Sequence, residues 1–380
     1  MRIIFLFTSD RPCIEGSRPP CNLEVGSSNF YAIDKENGLL SEGYLYLLNR
    51  MLEEKIVEEV TIFIESSRGC GHTMYHKKIM CYVVPEIWYA NKYIRKGDII
   101  FVRGGFRGWF NFLMDKKDKN HWLILYAANT GRARWKFWNI VLDDLISKPT
   151  HDSRGRFFYP FKKPVNPDIF FPTHNVSKEF DVCVGASHVH DRKAQWRTIE
   201  IIATYKKLFR EDLRCILPGR FGHGVKTNLL RENIKSARLD VAMPGMVPRD
   251  KVRELMNQSH LFVYMGMGGQ NDRGPLESLR CGTPVIISNP SRHCPTVYQN
   301  RRFCTIIRNW GNNKECALQF KEALDRSRNS SDIRKECSNY FESVNGMETV
   351  VIPEMRKLFG IIKNNPIPDI RPLIKEYENL

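Results

Sequence analysis

The stretch GGQNDRGPLESLRCGTPVIIS, residues 268–288, is the most telling part of this 380-residue chain. It reads as a loop that opens onto a short helix and closes straight into a strand. Asn271 and Asp272 are helix-capping types, Pro275 suits a first helical turn, and Gly282 predicts a left-handed cap at the helix end. Thr283 and Pro284 then release the chain into the apolar run Val285, Ile286, Ile287. A loop bearing Gly268, Gly269 and Gly274 at a helix N-terminus presents free N–H groups and the positive end of the helix dipole, where a phosphate is held. Glu277 follows one turn in. A carboxylate repels phosphate and suits neutral hydroxyls, so the two features together predict a diphosphate beside sugar hydroxyls, the chemistry of a nucleotide sugar.

Working outward, strand-like and helix-like segments alternate along the chain. Residues 2–7, 60–64, 79–84, 98–102, 122–126 and 140–142 read as strands, and 42–54 as a helix with Tyr44, Leu47, Leu48, Met51 and Leu52 on one face. The segment YPFKKPVNPDIFFPTHN carries four prolines and little periodicity, which marks a linker over the surface. Alternation then resumes, with strands at 180–185, 213–217, 241–243 and 261–265 and helices at 196–209 and 249–257. Apolar strands alternating with helices argue for parallel sheets covered on both faces. The expected fold class is α/β, with two doubly wound Rossmann-like domains facing across a cleft. The expected boundaries are 1–160 for a first, acceptor-binding domain, 161–175 for the linker and 176–345 for a second, nucleotide-binding domain. Residues 346–380 form a helical segment for which packing back on the first domain is one option.

The first strand of the second half ends in VGASHVHDRKAQW. Gly185 leaves the strand, and His188, His190, Arg192 and Lys193 crowd the loop before the next helix. Cations at a helix N-terminus oppose the dipole, so their presence points to an anion among them.

Lys and Arg outnumber Asp and Glu by 58 to 42, a formal charge of +16, which suits an anionic partner: nucleic acid, an acidic membrane surface or a phosphorylated substrate. Three basic-aromatic stretches are candidates for the acceptor: FRGWFNF with Arg107 and Trp109, GRARWKFW with Arg134 and Trp135, and RGRFFYPFKK. Their rings stack on bases or sugars or wet into a lipid interface, or else they are core with cations at the rim. The 11 cysteines are scattered, many within apolar runs, as in a reducing compartment. No stretch approaches the roughly 20 apolar residues of a membrane span. MRIIFLFTSD reads as a buried strand and not a signal peptide, so a cytoplasmic location is expected, with a peripheral place at a membrane or on DNA as an option. Cys70, His72, His76 and Cys81 lie close together, but their spacing is not that of common zinc sites, and no metal and no cofactor is expected. Composition carries no information on oligomeric state.

Four pieces in order make the second half resemble the C-terminal domain of retaining GT-B glycosyltransferases of the "group 1" family, over roughly residues 160–290. KPVNPDIFFP resembles the family's inter-domain segment, and VGASHVHDRK stands where the family has "VGR…K". DVAMPGMVPRDKVRELMNQSHLFVY resembles its next strand–helix–strand run, and GPLESLRCGTPVI is closely similar to "PLEAMACGTPVI". The resemblance implies a hexosyl- or pentosyltransferase whose donor substrate is a nucleotide sugar, with no separate cofactor. It puts the donor ribose on Glu277 and the diphosphate on Lys193, with Arg192 as the competing assignment. The family's arginine falls on Ala186 and its first motif glutamate on Gly269, so both are absent. His188 or Arg273 is the candidate substitute for the first, Asn271 and Asp272 for the second. The implied acceptor is a glycan or lipid-linked sugar, or a hydroxymethylated DNA base as in phage DNA modification. A non-catalytic nucleic-acid-binding or scaffold protein with a degenerate fold is the alternative. A Rossmann oxidoreductase is disfavoured, because no G-x-G-x-x-G follows the first strand.

Overall fold

The computed structural model describes residues 1–8, 43–65, 72–76, 78–84, 86–103, 109–126, 137–144, 146, 148–173, 175–185, 194–219, 225–266, 272–288, 295–365 and 367–377. The chain divides into two units, Met1–Pro164 with Met347–Leu380, and Val165–Gly346.

The run RIIFLFT has no polar residue between Arg2 and Thr8 and forms β1 (Arg2–Thr8), the middle of the first unit's sheet. Its side chains alternate between two cores, as the two-residue period of a strand requires. Ile3, Phe5 and Phe7 pack with Tyr44, Leu47, Leu48 and Met51 of α1 (Tyr44–Glu53). The sheet continues through β2 (Glu59–Glu65), β3 (His72–His76), β4 (Ile79–Val84) and β5 (Ile99–Arg103). Ile4 and Leu6 face the other way, toward Trp109, Phe112 and Leu113 of α2 (Trp109–Asp118). Each such fully buried apolar side chain stabilises by about 1.5–3 kcal/mol before entropy is counted. Then follow β6 (Trp122–Tyr126), β7 (Ile140–Asp143), β8 (Thr150–His151) and β9 (Phe157–Pro160). Among the described residues the order is β3-β4-β2-β1-β5-β6-β7-β9-β8. All neighbours run parallel except β3 on β4 and β8 on β9.

The second unit is built from β10 (Phe180–Val184), α3 (Gln195–Phe209), β11 (Cys215–Pro218), α4 (Val225–Ser236), β12 (Val241–Gly245), α5 (Arg249–Asn257), β13 (Ser259–Tyr264), α6 (Arg273–Arg280), β14 (Val285–Ser288), β15 (Cys304–Ile307), α7 (Asn313–Arg328) and α8 (Ile333–Asn345). Its sheet is parallel throughout, in the order β12-β11-β10-β13-β14-β15. Counted from β10 this is 3-2-1-4-5-6, the dinucleotide-binding order, with its switch point between β10 and β13. Val182 and Val184 of β10 face the core that holds α3 and α7, while Cys183 faces the one that holds α5, α6 and α8.

After α8 the chain joins the first unit. Met355, Leu358, Phe359 and Ile362 of α9 (Ile352–Asn364) and Leu373 of α10 (Arg371–Tyr377) enter the core that contains Phe5 and α1. The Trp122 indole N–H donates to the Asn365 carbonyl at 3.0 Å. The proline-bearing segment is not a surface strap. Phe161 is buried in the first unit's core, and Val165 and Phe170 in the second's. Proline breaks periodicity without making a segment polar, so burial there could not be read from pattern.

His260, the second residue of β13, lies among Lys178, Asp181, Arg328 and Arg334. Burial, reinforced by Lys178, pushes its pKa down to about 4. The unfolded chain takes up a proton near pH 6.5 and the folded chain resists it. The stability tied to this histidine is therefore present above pH 6.5 and lost as pH falls toward 4. His260→Gln is expected to flatten the acid limb by about 1–2 kcal/mol, allowing for partial exposure, in urea titrations compared at pH 7 and pH 4.5.

Candidate active site

Two loops leave the carboxyl ends of β10 and β13, on either side of the switch point, and the described residues pin the ends of both. Gly185, one residue past β10, donates its N–H to the Val263 carbonyl at 3.1 Å, and its own carbonyl accepts from Gln195 Nε2 at 3.1 Å. That bond ties the strand end to the first residue of α3. Beyond β13, the Gly266 carbonyl accepts from Ser288 Oγ at 2.7 Å, joining it to the end of β14. The Tyr264 hydroxyl donates to the carboxylate of Asp272, the residue that caps α6. Asp272 holds the N-cap position without a side-chain capping bond, and its carboxylate accepts from the strand end.

Helix α6 is short because both its ends are specified. Pro275 sits in its first turn. At its end the N–H of Thr283 bonds to the Ser278 carbonyl and that of Gly282 to the Leu279 carbonyl, each at 2.9 Å, with Gly282 at φ +79°. These are the two bonds of a Schellman cap. A Cβ on Gly282 would also stand 2.5 Å from the Arg334 backbone, so the position demands glycine for space as well as for conformation.

Phe262, buried in the middle of β13, connects the parts. A Cβ built on Gly185 would lie 1.9 Å from its ring tip, and one on Gly274 would lie 2.9 Å away. The ring thus fills the space that side chains would take at the end of β10 and in the first turn of α6. Bare backbone is what these two positions offer.

Glu277 is 2 % exposed and pairs with Arg249, the first residue of α5. The Arg249 guanidinium lies 5.0 Å from the centre of the Phe170 ring. Glu277 was singled out by its sequence motif, whereas Arg249, Phe262 and Tyr264, which the structure sets against these parts, were not. One signal for Arg249 was present: a cation at a helix N-terminus opposes the dipole, and here the nearby carboxylate offsets that.

Of the expected donor-site residues, the structure brings Gly185, Asp272, Arg273, Gly274 and Glu277 to the switch point. Arg192, Lys193, His188, Gly268, Gly269 and Asn271 lie outside the described residues, as do Arg107, Arg134, Trp135 and Cys70. His72 and His76 belong to β3, with side chains outside the description, and Cys81 is buried in the first unit's core. The expectation for Trp109 is corrected. It is 1 % exposed, and its indole N–H donates to Glu65 Oε2 at 2.7 Å, which makes it a core residue and not an acceptor platform. Trp109 starts α2, whose buried face repeats at Phe112, Leu113 and Lys116. The seven cysteines among the described residues are buried.

No protein-family model matches the chain. No curated protein matches it either. Solved structures do. The chain is similar to a sucrose-phosphate synthase from Thermosynechococcus elongatus over 95 % of its own length and 99 % of that chain, with TM-score 0.64 and 12 % identity. HepE of Anabaena in complex with UDP matches over 95 % of this chain and 100 % of its own, with TM-score 0.63 and 11 % identity. A glycosyltransferase from Rickettsia africae matches over 96 % and 99 %, with TM-score 0.59 and 13 % identity. With its two parallel-sheet Rossmann-like units, the chain has the GT-B fold that these glycosyltransferases share.

Proposed function

We propose that the chain is a glycosyltransferase that moves a sugar from a nucleotide diphosphate sugar to an acceptor hydroxyl with retention of anomeric configuration. The observation that carries this reading is the meeting, at the 3-2-1-4-5-6 switch point, of bare backbone at Gly185 and Gly274, the start of α6 and the buried carboxylate of Glu277. HepE, which shares the fold, is a protein crystallised with UDP and with UDP-glucose.

In this reading the diphosphate lies against the N–H groups at the start of α6, with Lys193 and Arg192 as its cations. Arg249 holds one oxygen of Glu277. A carboxylate has about four acceptor positions, which leaves room for the ribose hydroxyls. The bond from the anomeric carbon to the phosphate oxygen breaks, and the bond to the acceptor oxygen forms on the same face. The departing phosphate oxygen takes the acceptor proton. Catalysis is then positioning together with stabilisation of the charge that builds on the diphosphate. Cations and amides supply that stabilisation, so no metal is needed.

A screen of UDP-, GDP- and ADP-sugars, read by released nucleotide diphosphate, tests the reading. One donor is expected to be turned over, with the rate unchanged by EDTA. Full loss in EDTA would overturn the metal-free chemistry. No turnover of any donor, together with no thermal shift from UDP or GDP, would leave the non-catalytic alternative.

A further inference from the structure

One side chain meets both ends of the loop between β13 and α6. Tyr264 is the last residue of β13 and is 6 % exposed. A Cβ on Gly266 would stand 2.4 Å from its hydroxyl oxygen, so the tip of the ring lies directly over that glycine. The hydroxyl donates to the carboxylate of Asp272, where the loop ends and α6 begins. The ring itself is packed in the core that contains Phe262, Leu276 and Leu279, which fixes where the hydroxyl points.

Asp272 has the extended backbone of a helix N-cap, with φ −73° and ψ 155°. Aspartate is strongly preferred there because its carboxylate accepts from an N–H at the second or third helical position. In this chain it makes no such bond. The two positions are Gly274 and Pro275. Proline has no N–H, so the Gly274 N–H is the one a capping carboxylate would take. That N–H belongs to the backbone left bare beside the Phe262 ring. It is also among the groups proposed to meet a diphosphate. A carboxylate turned onto the start of α6 would occupy it and set a negative charge where the helix dipole favours an anion. The bond from Tyr264 is charge-assisted, a stronger kind of hydrogen bond, and it holds that competitor elsewhere.

We infer that Tyr264 is a positioning residue that keeps the Asp272 carboxylate off the start of α6, and so keeps that helix N-terminus open for the diphosphate of the donor. The ligand half of this rests on the proposed function; the restraint on Asp272 does not. A bond that merely fastened the loop would make loss of either partner equally harmful. A restraint on a competing carboxylate makes the two losses opposite in sign.

The test is calorimetric binding of UDP or GDP to the full chain. Tyr264→Phe keeps the ring in the core and removes the bond. It is expected to bind about tenfold more weakly than wild type, the effect of one lost hydrogen bond to a charged group. Asp272→Ala is expected to bind at least as tightly as wild type, and Tyr264→Phe/Asp272→Ala to recover most of the loss. The probe carries no transferable sugar, so a contact of Asp272 with that sugar does not enter. A double variant as weak as Tyr264→Phe would overturn the inference, and so would weakening by Asp272→Ala alone. The Gly274 amide reads the same restraint without ligand. Its hydrogen exchange, followed by NMR in glycine-labelled protein, is expected to slow in Tyr264→Phe and to return in the double variant. Unchanged exchange in Tyr264→Phe would overturn the restraint on Asp272. Exchange that responds as expected in a chain that binds neither nucleotide would uphold the restraint and overturn the diphosphate site.

Discussion

Glu277→Ala is expected to lower kcat/KM for sugar transfer by about a hundredfold or more. A hydrogen bond from a hydroxyl to a carboxylate contributes about 1.5–3 kcal/mol, and in the proposed site two ribose hydroxyls lose this partner together. The loss alone would prove little, because Glu277 is also half of a buried ion pair. Breaking such a pair costs about 3–5 kcal/mol when both charges are fully buried. Arg249 is about a quarter exposed and lies over Phe170, so the cost here falls below that range. The discriminating variant is Arg249→Met/Glu277→Leu. Replacing a buried pair by apolar groups of similar volume is often neutral for stability. The double variant should therefore melt near wild type while transfer stays low. If it melts near wild type and also transfers near wild type, Glu277 is a structural residue and the ribose assignment fails.

The stretch around Gly282 was legible because its signals are local. A proline in the first turn, a glycine at the last and an apolar run beyond them each act within a few residues. Strands β1, β2, β4, β5, β6 and β7 were legible for the same reason, as in β1, which is apolar on both faces, whereas β3, β8 and β9 were not foreseen. Helix α4 was not foreseen: VKTNLLRENIKS has only a thin apolar stripe. The short strand β15, CTII, carries too few residues to show a period. The aromatic run at 109–112 was ambiguous for a different reason. Its rings divide by helical period, Trp109 and Phe112 inward and Phe110 outward, and only the packing partner says which face is core. Arg249 stands 28 residues before Glu277, and nothing local ties the two positions together. Phe262 reads as one more apolar strand residue. Its reach to Gly185 and Gly274 follows from the parallel alignment of β10 beside β13, a relation that no window of sequence contains.

That reach leads to the second large effect. Gly185→Ala is expected to destabilise the protein by about 1–3 kcal/mol, the usual range for forcing extra atoms into a packed core. Conformation is not the cause, since Gly185 is not among the described glycines at positive φ. The cause is space: the added Cβ would stand 1.9 Å from the tip of a ring that is 1 % exposed. Gly274→Ala meets the same ring at 2.9 Å and should cost less. Phe262→Leu removes the ring tip and costs something by itself, as a large-to-small core change does. In the double variant Gly185→Ala/Phe262→Leu the new methyl occupies space the ring has vacated. The two changes should therefore be non-additive, with the double variant more stable than the sum by about 1 kcal/mol or more in urea titrations. Transfer should respond differently. The methyl still stands at the carboxyl end of β10, where the diphosphate backbone contact is proposed, so rescue of folding is expected without full rescue of kcat/KM. If Gly185→Ala leaves stability unchanged and lowers transfer alone, the ring is not what demands glycine there. Close approach of a ligand would then be the whole reason for it.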